Sequence, residues 1–152
     1  MKKLLSILMG LGLILILVGC SSQETATFTQ KAGTTEFILV YTYDKKNDTV
    51  TKFKVEMKSS TENTRARKEN EKLSGEIKKD GVVVSVTEKD GKLISTVEID
   101  LTKYKLSEIK ESNNAILAGL LQSGFLIEDG DHVSFSKSKE GALKRGMTEQ
   151  TK

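Results

Sequence analysis

The chain has no tryptophan, a single cysteine (Cys20) and a single histidine (His132). One cysteine cannot form a disulfide within the chain, nor can it supply the thiolates of a cysteine-based metal site. The absence of tryptophan argues against a site that binds sugars by stacking on that ring. No serine lies in a Gly-x-Ser-x-Gly elbow, and no glycine-rich phosphate loop occurs outside the apolar N-terminus. We therefore expect neither an enzyme nor a bound cofactor.

The single histidine lies in a short acidic segment, Asp129-Gly130-Asp131-His132. A metal site needs three or more converging ligands, and the sequence around His132 has no regular ligand spacing. The segment also lacks the further acidic positions and the final glutamate of a calcium loop. We therefore interpret His132 as a loop histidine near two acids and predict no metal site. Calcium, which can use carboxylates and carbonyls alone, is the one metal left open.

The N-terminus has the layout of a cleavable export signal. Two lysines, Lys2 and Lys3, precede an uncharged and mostly apolar run from Leu4 to Val18. That run is shorter than the roughly 20 residues of a spanning helix, which argues against an uncleaved anchor. It ends in Leu17-Val18-Gly19-Cys20, which resembles a lipobox, and no A-x-A-like site of an ordinary signal peptide is present.

The lipobox resemblance implies cleavage between Gly19 and Cys20 and a diacylglyceryl group on the Cys20 thiol. Two acyl chains are enough for stable anchoring to a bilayer. We therefore predict a protein held at the extracytoplasmic face of a membrane through Cys20. In a double-membraned host, Ser21 after the cysteine favours the outer membrane, whereas in a single-membraned host the site is the outer face of the cell membrane.

The exported part of the chain is close to electrically neutral. Removal of Lys2 and Lys3 from the 24 basic residues leaves 22, against 21 acidic residues. The sequence pI near 8.9 therefore overstates the basic character, and we do not expect nucleic acid as a partner.

The composition divides the chain into four segments. Residues 1–19 are the predicted lipoprotein signal peptide, and residues 20–35 are the lipidated cysteine followed by a polar, flexible tether. Residues 36–128 are the predicted α+β domain, and residues 129–152 are a weakly structured C-terminal extension. A first strand around Thr25 to Thr29 is the alternative to the tether.

Alternating apolar and polar residues predict two antiparallel β-hairpins that form a sheet packed against two or three helices. In the second hairpin, Val97, Ile99 and Leu101 share one face with Val84 nearby, and Glu98 and Asp100 lie on the solvated face. The predicted strands are Glu36–Asp44, Thr49–Lys58, Gly81–Glu88 and Leu93–Leu101, with turns at Lys45–Asp48 and Lys89–Lys92.

The remaining elements are predicted from capping residues and apolar spacing. They are a long helix over Ser59–Lys79, a helical turn at Leu106–Glu111, a helix from Ser112 or Asn113 to Ser123 that ends at Gly124, a short strand at His132–Phe135 and a short helix at Lys139–Arg145.

Two side-chain groups have both a structural and a functional interpretation. Arg65, Arg67 and Lys68 form a basic cluster, but glutamates lie on the same segment, which favours a solvated helix face over a patch for anionic ligands. Tyr41 and Tyr43 share a strand face with apolar residues, which favours core or edge packing over a ligand platform.

Several short motifs occur in the order found in a known family. They are Tyr41-Thr42-Tyr43 followed by a lysine-rich turn, Val97-Glu98-Ile99-Asp100-Leu101, and the Leu120…Ser123-Gly124-Phe125 helix end. Over roughly Thr35 to Ile127 the chain resembles the YehR-like family of small bacterial lipoproteins. The resemblance implies an α+β domain with an antiparallel sheet and packed helices. It implies no activity, since the family's function is unassigned, and residues after Glu128 lie beyond the pattern.

The sequence favours a non-enzymatic envelope domain that binds either a partner protein or an apolar ligand. A structural or accessory subunit of a membrane or cell-envelope complex is the alternative. A hydrolase comes third, because a Ser-His-Asp triad would have to use His132, the single histidine, which lies in a segment without a strong structural pattern. A pocket between sheet and helices would favour a small ligand, and an exposed apolar patch over a solid core would favour a protein partner.

Overall fold

The computed structural model describes residues 22–60, 68, 79–112 and 114–151. The signal peptide, Gly19 and Cys20 lie outside the described residues, and so does most of the predicted helix over Ser59–Lys79, including Arg65 and Arg67. Among the described residues, no helix has the length and apolar character needed to cross a membrane.

The described chain contains eight strands and three short helices. The strands are β1 (Gln23–Ala32), β2 (Thr35–Asp44), β3 (Thr49–Ser60), β4 (Val82–Lys89), β5 (Lys92–Asp100), β6 (Ile127–Asp129), β7 (His132–Ser134) and β8 (Thr148–Gln150), and the helices are α1 (Leu106–Glu111), α2 (Ala115–Gln122) and α3 (Phe135–Lys144).

The strands form a mostly antiparallel sheet in the order β4-β5-β3-β2-β1-β8, and β7 pairs with both β3 and β6. The two predicted hairpins are present as β2–β3 and β4–β5, and they are joined because β3 also pairs with β5. In the turn of the second hairpin, Asp90 (φ 52°) and Gly91 (φ 70°) both have positive φ. That is the backbone that a tight turn between right-twisted strands requires.

One face of the sheet forms the core. Tyr41, Phe53 and Ile99 are opposite one another on β2, β3 and β5, and all three are fully buried. Val84 lies opposite Val97 on the same face, as the alternation predicts. On the other face, Lys52 lies opposite Asp100 with 3.8 Å between Nζ and Oδ2. The sheet is therefore apolar toward the helices and charged toward solvent.

The prediction of a flexible tether up to Thr35 is wrong, and the alternative of a first strand is correct. Residues 23–32 form β1, which is hydrogen-bonded to β2 along its length and also to β8. Only two residues of β1, Ala26 and Phe28, are apolar and buried, at 9% and 0% exposure, and they alternate with threonines. This pattern is too short to be recognised in a polar, threonine-rich sequence. Burial of these two side chains, rather than strong sequence periodicity, fixes the strand.

The prediction of a weakly structured extension over residues 129–152 is also wrong. This segment contains β7, α3 and β8, and it contributes Val133, Phe135, Ala142 and Met147 to the core. Inside α3, Gly141 lies so close to the carbonyl oxygen of Gly124 that a Cβ atom there would clash with it. The elements are short, so none of them produces a long periodic pattern, but together they close the core.

The predicted helices of the central region are confirmed with small differences. Helix α1 has the predicted bounds and buries Ile109. Helix α2 begins at Ala115, and the Asn114 side chain accepts a hydrogen bond from the Leu117 backbone at 3.3 Å, so Asn114 caps the helix rather than the predicted Ser112 or Asn113. The chain leaves α2 through Gly124, whose positive φ of 72° fits the predicted stop. Strand β3 extends to Ser60, which overturns the predicted helix start at Ser59.

Candidate functional site

An open pocket of about 530 Å³ lies at the end of the sheet where β3 begins. Its walls come from three separate parts of the chain: the start of β3, the segment from the end of β5 through α1, and the β6–β7 turn. The lining residues are Thr49, Val50, Leu101, Lys105, Leu106, Ser107, Lys110, Gly130, Asp131, His132 and Val133. A volume of this order is typical of pockets for small ligands.

The floor of the pocket is apolar and firmly built. Val50 and Val133 are each 2% exposed, and Leu101 and Leu106 pack against the same core while remaining partly accessible. Helix α1 is held over this floor by Ile109, which is fully buried. At the start of α1, the Glu108 carboxylate accepts the backbone N–H of Lys105 at 2.9 Å. The floor therefore offers a fixed apolar surface to a ligand.

The rim of the pocket is polar and carries lysine side chains. Lys110 Nζ lies 2.6 Å from Glu128 Oε2, so its charge is already matched, whereas Lys105 has no such partner among the described residues. His132 Nδ1 and Asp131 Oδ1, on consecutive residues at the β6–β7 turn, are 3.5 Å apart. Lys105 can thus present a cation to an anionic group, and the Ser107 hydroxyl can donate a hydrogen bond, whereas the Thr49 hydroxyl already donates to the Asn47 carbonyl at 3.0 Å.

The β7 wall of the pocket is fixed by Asp48. Its carboxylate accepts hydrogen bonds from the hydroxyls of Ser134 and Ser136 and from the Ser136 backbone N–H. Its backbone carbonyl accepts the Phe135 N–H at 2.9 Å. Partial burial acts to raise the pKa of Asp48, but the hydrogen bonds from Ser134 and Ser136 outweigh it and hold the pKa below its ordinary value. The charged carboxylate therefore fastens the start of α3 to the β2–β3 turn.

The two tyrosines of β2 have structural positions. The Tyr41 hydroxyl donates to the Phe125 carbonyl at 2.8 Å, and burial raises the pKa of Tyr41. The Tyr43 ring is stacked on Phe135 with 3.6 Å between ring centroids, and its hydroxyl donates to Glu24 at 2.9 Å. Desolvation and, next, the Glu24 hydrogen bond raise the pKa of Tyr43 to about 12. Core and edge packing is therefore the role of this pair.

The predicted site residues fall into two groups. Gly19 and Cys20, the predicted cleavage and lipidation positions, lie outside the described residues. His132 lines the pocket, but in the described part of the chain no group of three or more histidine, cysteine, aspartate or glutamate side chains could hold a metal ion. Asp129, the other acid near His132, pairs instead with Lys137 at 3.0 Å.

Sequence reasoning missed Lys105 and Lys110 as pocket residues. The two lysines are separated from His132 by more than twenty residues, and neither belongs to a recognisable motif. Their approach to Val50 and Val133 depends on tertiary packing of α1 over the sheet end. The only local signal is the apolar pair Leu106 and Ile109, which indicated that α1 packs inward but not what it would cover.

No protein-family model matches the chain. The chain is 27% identical over 139 residues to an uncharacterized lipoprotein of Listeria innocua, covering 86% of this chain and 90% of the relative. Its fold is similar to the NMR structure of the Escherichia coli YehR protein, with a TM-score of 0.56 and 21% identity over 86% of this chain and 92% of that chain. It is also similar to the NMR structure of a protein from Streptococcus pneumoniae, with a TM-score of 0.55 and 15% identity over 99% of this chain and 98% of that chain. The predicted resemblance to the YehR-like family is confirmed, and the solved structures support it in fold.

Proposed function

Because the chain resembles the YehR-like lipoproteins, we propose that it is a lipid-anchored envelope protein whose domain binds a small amphipathic molecule. In this proposal the domain has a binding role and no catalytic one. The ligand has an apolar part that lies on the pocket floor and an anionic group that pairs with Lys105. The Listeria relative, which is itself described as a lipoprotein, supports the anchor.

The binding role rests on two unlike surfaces of the pocket at the end of the sheet, an apolar floor and a positively charged rim. Leu101 and Leu106 are the partly accessible apolar residues of the floor, which the buried Val50 and Val133 complete. Lys105 lines the same pocket and has no ion-pair partner among the described residues. A ligand that is wholly polar would leave the floor in contact with water, and one that is wholly apolar would leave the lysine unused. An amphiphile with a carboxylate or phosphate satisfies both surfaces.

The binding role is tested with a fragment that begins at Ser22 and with a monoacyl phosphatidylglycerol as the probe. We expect saturable binding by native mass spectrometry and a rise in melting temperature, because a ligand that binds only the folded state stabilises it by mass action. Ser107→Trp places a large ring in the pocket from an exposed position and should abolish both effects. Gln122→Trp, exposed at the end of α2, is the matched control and should retain them.

Lys105→Gln tests the role of the cation separately from the role of the apolar floor. It removes the cation while leaving the apolar floor, so affinity for the anionic probe should fall about tenfold, which corresponds to about 1.4 kcal/mol. Affinity for an uncharged monoacylglycerol should change little. Equal binding of the anionic probe by the wild type, Ser107→Trp and Lys105→Gln variants would place the binding surface elsewhere and refute this site.

The anchor is tested through Cys20. Cys20→Ala should abolish incorporation of labelled fatty acid and should either release the protein from membranes or block its processing. Ser21→Ala, which leaves the cysteine intact, is the control and should still be labelled. Unchanged labelling and membrane retention in Cys20→Ala would refute lipidation at this position.

The alternative role, an accessory subunit of a membrane or envelope complex, is favoured by a different feature. Among the described strands β4 pairs only with β5, and its other edge has a single bridge, between Lys79 and Val82, within the described residues. Val83 on this strand is 59% exposed. A partner strand could add to such an edge. Val83→Lys would block that addition without touching the pocket, so loss of a crosslinked partner in this variant, with lipid binding intact, would favour the accessory role.

A further inference from the structure

The described fold begins almost directly at the predicted lipid anchor. Only Ser21 lies between Cys20 and Ser22, and two residues span at most about 7 Å of extended chain. Ser22 is itself part of the domain: its carbonyl oxygen accepts the backbone N–H of Lys45 at 2.9 Å, and its hydroxyl donates to the Asp44 carboxylate. Strand β1 then starts at Gln23, opposite Asp44. A lipid on Cys20 would therefore hold this point of the domain at the membrane surface.

The turn that receives Ser22 is rigid enough to transmit that constraint. The Asp44 carboxylate accepts the backbone N–H groups of Lys46 at 2.8 Å and Asn47 at 3.3 Å, and the Asn47 side-chain amide at 2.8 Å. Hydrogen bonding from Ser22 first, and from Asn47 and Lys46 as well, holds the pKa of Asp44 below its usual range. A charged Asp44 thus ties the first described residue to the β2–β3 turn across a range of pH.

The same end of the sheet carries the pocket. Strands β1 and β4 begin there and β2 and β5 end there, as the antiparallel registers require. The pocket residues Thr49 and Leu101 follow directly on the Lys45–Asp48 turn and the end of β5. The opposite end, with the turns at Gly33–Thr34 and Lys89–Lys92, is separated by the length of β1, roughly 30 Å for ten residues.

We propose that the sheet end formed by Ser22, the Lys45–Asp48 turn and the bend after Asp100 rests on the lipid head groups, with the pocket beside the bilayer. This inference rests on the lipidation of Cys20 in the proposed function and deepens it, because the pocket then draws its ligand from the membrane that holds the protein. The exposed lysines of this end suit a head-group layer. Lys46 forms no ion pair with another described residue, whereas Lys45 pairs with Glu24 at 2.8 Å and Lys103 with Asp80 at 3.6 Å. These two ion pairs are exposed and therefore weak, so lipid phosphate oxygens can compete for both lysines.

The orientation is tested with the full-length, lipidated protein in phospholipid vesicles. The Cys20 thiol is consumed by the lipid, so an introduced cysteine is the single site for a fluorescent maleimide. Lys46→Cys places the dye in the turn beside Ser22, and Thr34→Cys places it at the opposite end of the sheet; both positions are exposed. The vesicles contain a lipid with a contact quencher on its head group.

We expect strong quenching of the dye at position 46 and little quenching of the dye at position 34. A fragment that begins at Ser22 lacks the lipid, so the dye should not be quenched at either position. Equal quenching of the two labels, or stronger quenching at position 34, with the protein still on the vesicles, would overturn the orientation and leave the anchor standing. Loss of the protein from the vesicles would overturn the anchor and the orientation together. Anchoring and orientation therefore fail in different ways.

Discussion

The β4–β5 hairpin and the segment from β6 to β8 differ in how strongly their sequences predict their structure. The hairpin has long alternation and a clear turn at Asp90-Gly91, and it places only Val82, Leu93 and Ile99 among the buried residues. The C-terminal segment has weak periodicity, yet Val133, Phe135, Ala142 and Met147 are all buried there, together with Ser134 and Ser138. The better-patterned region is thus the less buried of the two.

A periodic sequence pattern therefore depends on the exposure of one face as much as on the burial of the other. Polar and apolar residues alternate along the hairpin because one of its faces is in contact with water and the other is in contact with the core. In the C-terminal segment, short elements contact the core with single side chains, and each buried serine has its own partner: the Ser138 hydroxyl accepts the Ile127 N–H at 2.9 Å, and the Ser134 hydroxyl donates to Asp48. Such contacts leave no repeating pattern.

The largest expected effect lies in the hairpin. Ile99 is fully buried, and Ile99→Ala should lower the free energy of unfolding by about 2–5 kcal/mol through lost burial and a residual cavity. Glu98 lies on the opposite face, so Glu98→Ala should cost less than about 0.5 kcal/mol. Urea unfolding of the soluble fragment measures both. Equal effects would contradict the register of β5, because a shift of one residue exchanges the two faces.

The packing of the C-terminal segment is tested by two glycines in helices. Alanine is normally favoured over glycine in a helix by about 1 kcal/mol. At Gly119 of α2 no atom lies within 4 Å of an added Cβ, so Gly119→Ala should stabilise the fold by up to that amount. At Gly141 of α3 the added Cβ would clash with the Gly124 carbonyl, so Gly141→Ala should destabilise it by about 1–3 kcal/mol.

A higher melting temperature for Gly119→Ala and a lower one for Gly141→Ala would confirm the close approach of α3 to Gly124. Stabilisation by both alanines would show that α3 stands off from that turn and that the C-terminal segment packs more loosely than the structure has it.

A smaller effect on stability, dependent on pH, is expected at Asp48, which connects the β2–β3 turn to the C-terminal segment. Asp48→Asn keeps a residue that tolerates the positive φ of 52° but removes the charge that accepts from Ser134 and Ser136. We expect a loss of about 1–2 kcal/mol at neutral pH, since these charge-assisted hydrogen bonds are only partly shielded from water.

The direction of the pH dependence follows from the lowered pKa of Asp48 in the folded state. Its contribution is complete above the unfolded pKa of about 3.9 and is lost as the pH falls through the lower folded value. The difference in unfolding free energy between wild type and Asp48→Asn should therefore shrink in acid. A difference that stays constant from neutral pH to strong acid would contradict a charged Asp48.

No effect at all is expected from metals. We predict the same melting temperature for the fragment from Ser22 in chelator, in calcium and in zinc, because Asp131 and His132 have no third ligand beside them among the described residues. A structural ion at a hundredfold excess over its dissociation constant would stabilise the fold by about 2.7 kcal/mol. A rise of several degrees that is lost in His132→Ala or Asp131→Asn would show that the β6–β7 turn holds a metal.

The sequence predicted the four long strands of the two hairpins, their turns and helices α1 and α2 to within a few residues. Most of these elements have an exposed and a buried face, and β2, which has no exposed residue, is marked by its β-branched and aromatic content. It missed β1 as the favoured structure because Thr25, Thr27 and Thr29 resemble a polar linker until β2 and β8 supply partners on both sides. The pocket was not predictable from local pattern. Its floor and its rim meet only when α1 and the β6–β7 turn fold over the start of β3.

Native mass spectrometry of the full-length protein, extracted from its own membranes in mild detergent, tests directly whether the pocket is the functional site. We expect a protein whose mass includes the Cys20 lipid and, in addition, one noncovalently bound amphiphile. That second mass should be absent from Ser107→Trp and present in Gln122→Trp. A lipidated wild-type protein without any bound molecule, or with the same bound molecule in both variants, would contradict the claim that the pocket at the end of the sheet is the functional site.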